Sequence, residues 1–259
     1  MQKLYYLIHI QYLGFRYRGW LKQQDQPTIQ KMVDKTIEFV LGHSDFRSMG
    51  SSRTDSRVSA NHTAFELFTK EKLDVEIFIK DFDSNLPTDI RALKMEEVDK
   101  SFNVIQASKT KEYLYLFAFG EKAHPFSASL ISTQKGYLDI NKMKEGARLF
   151  EGKHDFKPYI VKPSPGSETI RTIEHCSIEV NTMYTANFFP ETSYALRVVG
   201  KGFGRYQIRM MMGQLFALGR GEVNLNDIRE SLSGNSTELL KNIAPGSGLI
   251  LNKVQFEGK

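Results

Sequence analysis

One cysteine, Cys176, in 259 residues excludes an internal disulfide and any metal or iron–sulfur site built from several thiolates. The six histidines, His9, His43, His62, His124, His154 and His175, are scattered, with no H-E-x-x-H pair and no short-spaced cluster. Metal catalysis therefore has no ligand set, and no metal is expected. No stretch approaches the roughly 20 uninterrupted apolar residues of a membrane-spanning helix, so no membrane association is expected. Fixed-period repeats and low-complexity tracts are missing too. The stretch Leu4-Tyr5-Tyr6-Leu7-Ile8-His9-Ile10 has no small-residue cleavage site after it and alternates in polarity, so it reads as a strand and the expected location is cytoplasmic.

What is present describes an ordinary globular chain, 41% hydrophobic and 25% charged. Its length suits one large domain or two packed ones, and the pattern of elements favours two. A formal charge of +5 suits a polyanionic partner, because lysines and arginines that neutralise phosphates gain affinity by counterion release. Many basic proteins bind no nucleic acid, so charge alone identifies nothing.

Residues 4–12 put Leu4, Tyr6, Ile8, Ile10 and Tyr12 on one strand face and Tyr5, Leu7 and His9 on the other, the mark of a half-buried or central strand. A glycine-bounded loop rich in arginine and aromatics follows, Gly14-Phe15-Arg16-Tyr17-Arg18-Gly19-Trp20. Thr28 then caps a helix in which Ile29, Met32, Val33, Thr36, Ile37 and Val40 recur at helical spacing. A polar loop, Ser51 to Val58, precedes a strand at 63–68. Val75, Phe78, Ile79 and Phe82 mark a second helix ended by Asn85-Leu86-Pro87, and a strand restarts at Ile90-Arg91-Ala92-Leu93. The first hundred residues thus alternate strand and helix, with a domain boundary placed near residue 105, giving domains 1–105 and 106–259.

The second half opens on a strand from Tyr113 to Phe119. A helix at about 141–150 carries Met143, Ala147 and Phe150 on one face, and Pro163-Ser164-Pro165-Gly166-Ser167 is the clearest loop. Strands at 173–180 and 194–199 lead into Gly200-Lys201-Gly202-Phe203-Gly204, and a helix from about Arg205 to Leu218 is stopped by Gly219. Both halves share a strand–helix–strand rhythm.

Asp55 sits in the polar loop, between Arg53 and Arg57. On its own, Arg53-Thr54-Asp55-Ser56 reads as a turn, since aspartate and serine satisfy turn backbones with their side chains. Alone, Arg209 is a solvated base and Tyr113 a cross-strand aromatic. In sequence order, however, the chain resembles the TruA-type pseudouridine synthase family. Ser52-Arg53-Thr54-Asp55-Ser56-Arg57-Val58-Ser59-Ala60 is similar to that family's G-R-T-D-x-G-V-H-A loop. Tyr12-Leu13-Gly14-Phe15-Arg16-Tyr17-Arg18-Gly19-Trp20 is similar to its Y-D-G-x-x-Y-x-G-W, with Gln30 opening the next helix. Asn85 to Ile90, Lys111-Glu112-Tyr113-Leu114-Tyr115, Thr169 to Ile173, Phe203 through Arg209 to Gly213, Gly219-Arg220-Gly221 and Ala244 to Leu249 match further segments in the same order.

The resemblance implies an α/β fold of α+β type: two ferredoxin-like halves with mostly antiparallel mixed sheets around a central cleft, helices on the outer face. It implies Asp55 as catalytic carboxylate, Tyr113 as the ring stacked on the target base and Arg209 as the guanidinium facing Asp55. Arg53 would fill the gap left by a flipped-out uridine. Arg57, Arg16, Tyr17, Arg18, Lys22, Lys201, Arg205 and Leu249 become candidate RNA contacts, with Arg205 one helical turn before Arg209. The implied activity is isomerisation of uridine to pseudouridine in tRNA, at positions 38–40 of the anticodon arm, without a cofactor and by a homodimer. Breaking C1′–N1 and rejoining through C5 needs a carboxylate that attacks C1′ or removes the C2′ proton, and the sequence leaves both routes open.

This chain departs from the family pattern at Ser52 and Arg57, where glycine is usual, at Ser59, where histidine or sometimes serine stands, at Leu13 and at Ile105. Arg57 replaces a residue that permits positive φ, which puts the substrate rather than the chemistry in question. Two rival readings remain: a catalytically silent RNA-binding protein on the same scaffold, and a nucleotide-binding oxidoreductase suggested by Gly200-x-Gly202-x-Gly204. The second lacks the G-x-G-x-x-G spacing and the surrounding βαβ series.

Overall fold

The computed structural model describes residues 3–162, 166, 168–235 and 239–257. The loop expected at Pro163-Ser164-Pro165-Gly166-Ser167 lies, Gly166 apart, outside the described residues. The chain divides into two compact units, one of residues 1–109 with 251–259 and one of residues 110–250.

In the first unit, β1 (Leu4–Tyr12), α1 (Ile29–Leu41), β2 (Phe46–Gly50), β3 (Ser59–Thr69), α2 (Val75–Asn85) and β4 (Ile90–Val98) follow one another. The strands pair antiparallel with β1 between β3 and β4, and β2 on β3. This βαββαβ order is the ferredoxin-like arrangement. The register explains it: Tyr6, Ile8 and Ile10 stand opposite Leu67, Phe65 and Thr63, so one face of both strands carries the bulky side chains. Ile29, Val33, Ile37, Phe78 and Phe82 of the two helices cover them, all at most 4% exposed. Each contributes roughly 1.5–3 kcal/mol by leaving water. Thr28 caps α1 by accepting the Lys31 N–H, and Gly42, at φ 74°, ends it in the left-handed region.

The second face of β1 is also covered, which accounts for Leu7 and His9 alternating with the core residues. Leu7 and Glu66 are fully buried, and the Glu66 carboxylate accepts the Val104 N–H at 3.1 Å. Burial raises the Glu66 pKa, opposed by that hydrogen bond and by Arg47.

The second unit contains β5 (Ser108–Gly120, from Thr110 onward), β6 (Ser132–Lys135), α3 (Ile140–Arg148), β7 (Gly152–Asp155), β8 (Ile170–Val180), β9 (Tyr194–Gly200), α4 (Gln207–Gly219) and α5 (Leu225–Leu232). Its strands run β5-β9-β8-β7, antiparallel, with β6 parallel to β5. α3 packs on β8, α4 and α5. The last strand, β10 (Leu249–Phe256), leaves this unit after Ile250 and enters the first, where Asn61 donates to Asn252 at 3.2 Å and the Phe256 ring meets His9 edge-on.

The fold is thus α+β and mostly antiparallel, as the sequence suggests. Several boundaries differ. The strand expected at 113–119 starts at Ser108. The helix expected to begin at Arg205 begins at Gln207, because Tyr206 takes φ 64° and breaks helical geometry before it. That helix retains Gly219 and stops at Arg220, the left-handed residue being Gly221. The third helix closes at Arg148 rather than at 150, although Phe150 stays fully buried. The strands β2, β6, β7 and β10 and the helix α5 were not marked in the sequence, although Asn224 and Asp227 form a full capping box at the start of α5. Among the described residues no helix is long and apolar enough to cross a membrane.

Candidate active site

In the first unit, the aromatic loop and the Asp55 loop are fastened backbone to backbone. Trp20 donates its N–H to the Thr54 carbonyl, and Arg57 its own to the Tyr17 carbonyl. The Tyr12 hydroxyl lies 2.8 Å from Thr54 Oγ1, and Ser59 Oγ accepts the Gly14 N–H at 2.9 Å. Burial raises the Tyr12 pKa, with the Thr54 hydrogen bond opposing it, so the phenol stays neutral. Two glycines make this contact possible. A Cβ on Gly14 would stand 1.9 Å from the Val58 carbonyl oxygen, and one on Gly19, at φ 98°, would stand 2.7 Å from that of Thr54.

Asp55 is half-buried and opens a tight turn in which Val58 N–H donates to the Asp55 carbonyl at 3.2 Å. Its third residue, Arg57, has φ 66°. Type II turns require positive φ at that position, which is why glycine is favoured there. Arg57 adopts the same conformation as a non-glycine residue, and its guanidinium covers the Phe15 ring at 5.4 Å. The departure at Arg57 therefore keeps the turn rather than reshaping it.

The remaining candidates of this unit are placed unequally. Arg53, Arg18 and Arg57 are exposed. Arg16 grips Asp89 with two hydrogen bonds, at 2.6 and 2.9 Å, and the buried Tyr17 donates its hydroxyl to the same carboxylate at 2.7 Å. Burial and Asp89 push the Tyr17 pKa up to about 12. Burial raises the Asp89 pKa, but the hydrogen bonds from Arg16 and Tyr17 outweigh it and hold the carboxyl below its ordinary range. Arg16 and Tyr17 thus organise the loop through Asp89, a role that reading the sequence did not assign. Lys22 is exposed and paired with Asp34.

In the second unit, Tyr113 on β5 is 9% exposed, and its ring meets Phe203 edge-to-face at 5.3 Å and 84°. Phe203 comes from the glycine loop after β9, and a Cβ on Gly200 would stand 3.2 Å from its ring, so the bare glycine leaves space for the aromatic that lies against Tyr113. Arg209 on α4 donates its Nε–H to the Ala244 carbonyl at 2.7 Å, and the Ala244 N–H returns to the Arg209 carbonyl. Its guanidinium covers Tyr206 at 4.7 Å. Arg205 lies outside the helix, correcting the one-turn spacing expected for the pair, yet it covers the same Tyr206 ring at 5.2 Å.

The segment after Ala244 completes the second unit's cluster. Tyr115 donates its hydroxyl to the Pro245 carbonyl at 2.9 Å, and a Cβ on Gly213 would stand 2.1 Å from the Asn242 carbonyl oxygen. Burial raises the Tyr115 pKa, opposed by Ser132 and the positive charge of Arg209. Leu249 is 5% exposed and follows the short 3₁₀ turn Gly246–Gly248. Among the described residues no group of His, Cys, Asp or Glu could hold a metal ion.

A sequence model of the family described as tRNA pseudouridine synthase matches residues 147–257. Curated relatives align over almost the whole chain. The tRNA pseudouridine synthase A of Clostridium botulinum (strain Eklund 17B / Type B) is 29% identical over 247 residues, covering 95% of this chain and 97% of its own length. That of Clostridium kluyveri is 30% identical, with 95% and 97% covered. A tRNA pseudouridine synthase A 2 of Bacillus cereus is 31% identical over 253 residues, with 97% and 99% covered.

Proposed function

Since the chain belongs to the tRNA pseudouridine synthase family, we propose that it isomerises uridine to pseudouridine in tRNA, at positions 38–40 of the anticodon arm. The observation that carries this reading is the alignment of curated relatives over nearly their full length and this chain's. The chain carries the R-T-D loop, Tyr113 and Arg209 in the segments that resemble the family's motifs.

In the reaction the C1′–N1 bond breaks, the uracil turns, C5 bonds to C1′, and the C5 proton leaves while N1 gains one. Asp55 supplies the carboxylate that acts on the ribose. As nucleophile it holds C1′ in an ester until C5 displaces it; as base it takes the C2′ proton and later returns it. Both routes require an ionised Asp55, and Arg209 supplies the kind of charge that keeps a carboxylate ionised. Tyr113, braced by Phe203, offers a flat ring on which the detached uracil stays stacked. Arg53, exposed two residues before Asp55, fills the space that the extruded nucleotide leaves. Arg57, Lys201 and Arg205 contribute exposed positive charge for the phosphates. A homodimer working in the cytoplasm is part of the same reading, which needs no cofactor.

Mapping pseudouridine in host tRNA with the gene present and deleted tests the proposal. Loss of a site in the 38–40 stretch, restored by the purified protein acting on the unmodified tRNA, is the expected result. An unchanged map together with no turnover in vitro would overturn it.

A further inference from the structure

The segment between β9 and α4 supplies the rings against which Tyr113 and Arg209 lie. Phe203 meets the Tyr113 ring edge-to-face at 5.3 Å, and the Arg209 guanidinium covers the Tyr206 ring at 4.7 Å. Tyr206 stands at φ 64° as the N-cap of α4 and makes no side-chain capping hydrogen bond. A bulky residue holds that conformation only where its surroundings impose it. The next residue, Gln207, is fully buried and grips the loop at two points. Its N–H donates to the Gly204 carbonyl at 3.1 Å, and its Oε1 accepts the Gly204 N–H at 2.7 Å. Gly204 is enclosed from another side as well, since a Cβ there would stand 2.5 Å from Ile160 Cγ1.

This grip is unfavourable to the fold in one respect. With Oε1 committed to Gly204, the Gln207 Nε2 is buried and has no hydrogen-bond partner. Turning the amide over would set a donor against the Gly204 N–H and relieve nothing. An unpaired buried donor destabilises, and an apolar side chain of the same length would remove it. Gln207 thus breaks a rule of core packing, and such breaks are expected where a functional site needs them.

We propose that Gln207 is a positioning residue for the isomerisation: by clamping Gly204 it sets Phe203 against the Tyr113 ring and Tyr206 against the Arg209 guanidinium together. Its bearing on the rate rests on the roles of Tyr113 and Arg209 in the tRNA reading above. Gln207 is too deeply buried to touch RNA, so it acts through the two rings alone. Edge-to-face packing fixes the tilt of the Tyr113 ring. The Tyr206 ring and the Ala244 carbonyl, which accepts the Arg209 Nε–H, hold the guanidinium at two points.

The test replaces Gln207 in the full chain. It follows kcat and KM on an unmodified tRNA transcript, the melting temperature, and the rate of trypsin cleavage after Lys201 and Arg205, both exposed. Gln207→Met fills similar space without the amide, so it loses the grip on the Gly204 N–H together with the unpaired Nε2. It is expected to melt at or above wild type, to be cut faster in the loop, and to lose about 10- to 100-fold in kcat, the scale of a misplacement of about 1 Å or less. KM holds, as it does when an interaction serves the transition state alone. Gln207→Glu keeps an oxygen for the Gly204 N–H but buries a carboxylate, so it melts lower and yet recovers most of kcat. A purely structural glutamine cannot make the more stable variant the less active one. Should the carboxylate prevent folding, Gln207→Met decides alone. Wild-type kcat in Gln207→Met, or a kcat that follows melting temperature, would overturn the positioning role. Faster loop cleavage of Gln207→Met beside a wild type that converts no uridine in tRNA would sink the isomerase reading and keep the clamp.

Discussion

Gly14→Ala should disable the protein from a position that touches neither the ribose nor the base. The added Cβ would lie 1.9 Å from the Val58 carbonyl oxygen, whereas ordinary contact begins at 3.4 Å, so the two backbones must part by about 1.5 Å. Neither side can rotate away, because the clash is with main chain. The Ser59 Oγ that accepts the Gly14 N–H would move off with the Val58–Ser59 backbone. Asp55 lies three residues before Val58 in the same turn, held by the Val58 N–H. A misplacement near 1 Å can cost about 100-fold in rate, and forced overpacking costs about 1–3 kcal/mol. The expected variant therefore folds, melts several degrees lower and loses at least 100-fold in kcat on a tRNA transcript. Its tRNA affinity should fall by far less. Wild-type kcat with an unchanged melting temperature would mean that the two loops are not locked together and would refute the reasoning.

Asp55→Asn should abolish turnover while leaving tRNA binding within a few-fold, because the isostere keeps the turn; measurable conversion above background would remove Asp55 from the chemistry. Arg57→Gly relieves about 1 kcal/mol of left-handed strain, but it loses a cation–π contact and stiffness in the unfolded chain worth about as much. Its melting temperature should stay within a few degrees of wild type, whereas Arg57→Val, β-branched at φ 66°, should melt clearly lower. Asp89→Asn removes the charge that holds Arg16 and Tyr17, and should lower both stability and activity. The same carboxyl predicts a pH effect. Because its folded pKa lies below the unfolded one, its contribution is complete above the ordinary carboxylate range and fades as pH falls through the folded value. Asp89→Asn should accordingly flatten the acid limb of a melting-temperature profile; an unchanged limb would show that this contact carries no such linkage.

The elements that could be read from the sequence were those whose own periodicity decides them. α1 and α2 bury one regular face each, β1 alternates between two covered faces, and Thr28, Asn85 and Pro87 punctuate the helices locally. Of the strands that the sequence pattern does not mark, β2, β6 and β7 are four or five residues long and partly exposed, so their existence depends on a neighbour rather than on their pattern. Tyr206 hid the start of α4, since nothing in a tyrosine announces a positive φ. Among the candidate residues, the family resemblance is what points to Asp55, Tyr113 and Arg209. The parts that support them, Asp89 beneath Arg16 and Tyr17, Phe203 against Tyr113 and the Ala244 carbonyl on Arg209, are long-range contacts between segments that each look ordinary alone.

The return of residues 251–256 to the first unit sets an order of events on the ribosome. The first unit lacks a strand that is translated only after residues 110–250 have been made. At about 5–20 residues per second that delay is roughly 7–28 s. Throughout it, the edge of the nascent unit beside Asn61 and the ring of His9 stand without Asn252 and Phe256. An unclosed strand edge is where nascent chains pair wrongly. The first unit to emerge is therefore among the last parts to be sealed, and chaperone demand should track the length of that wait.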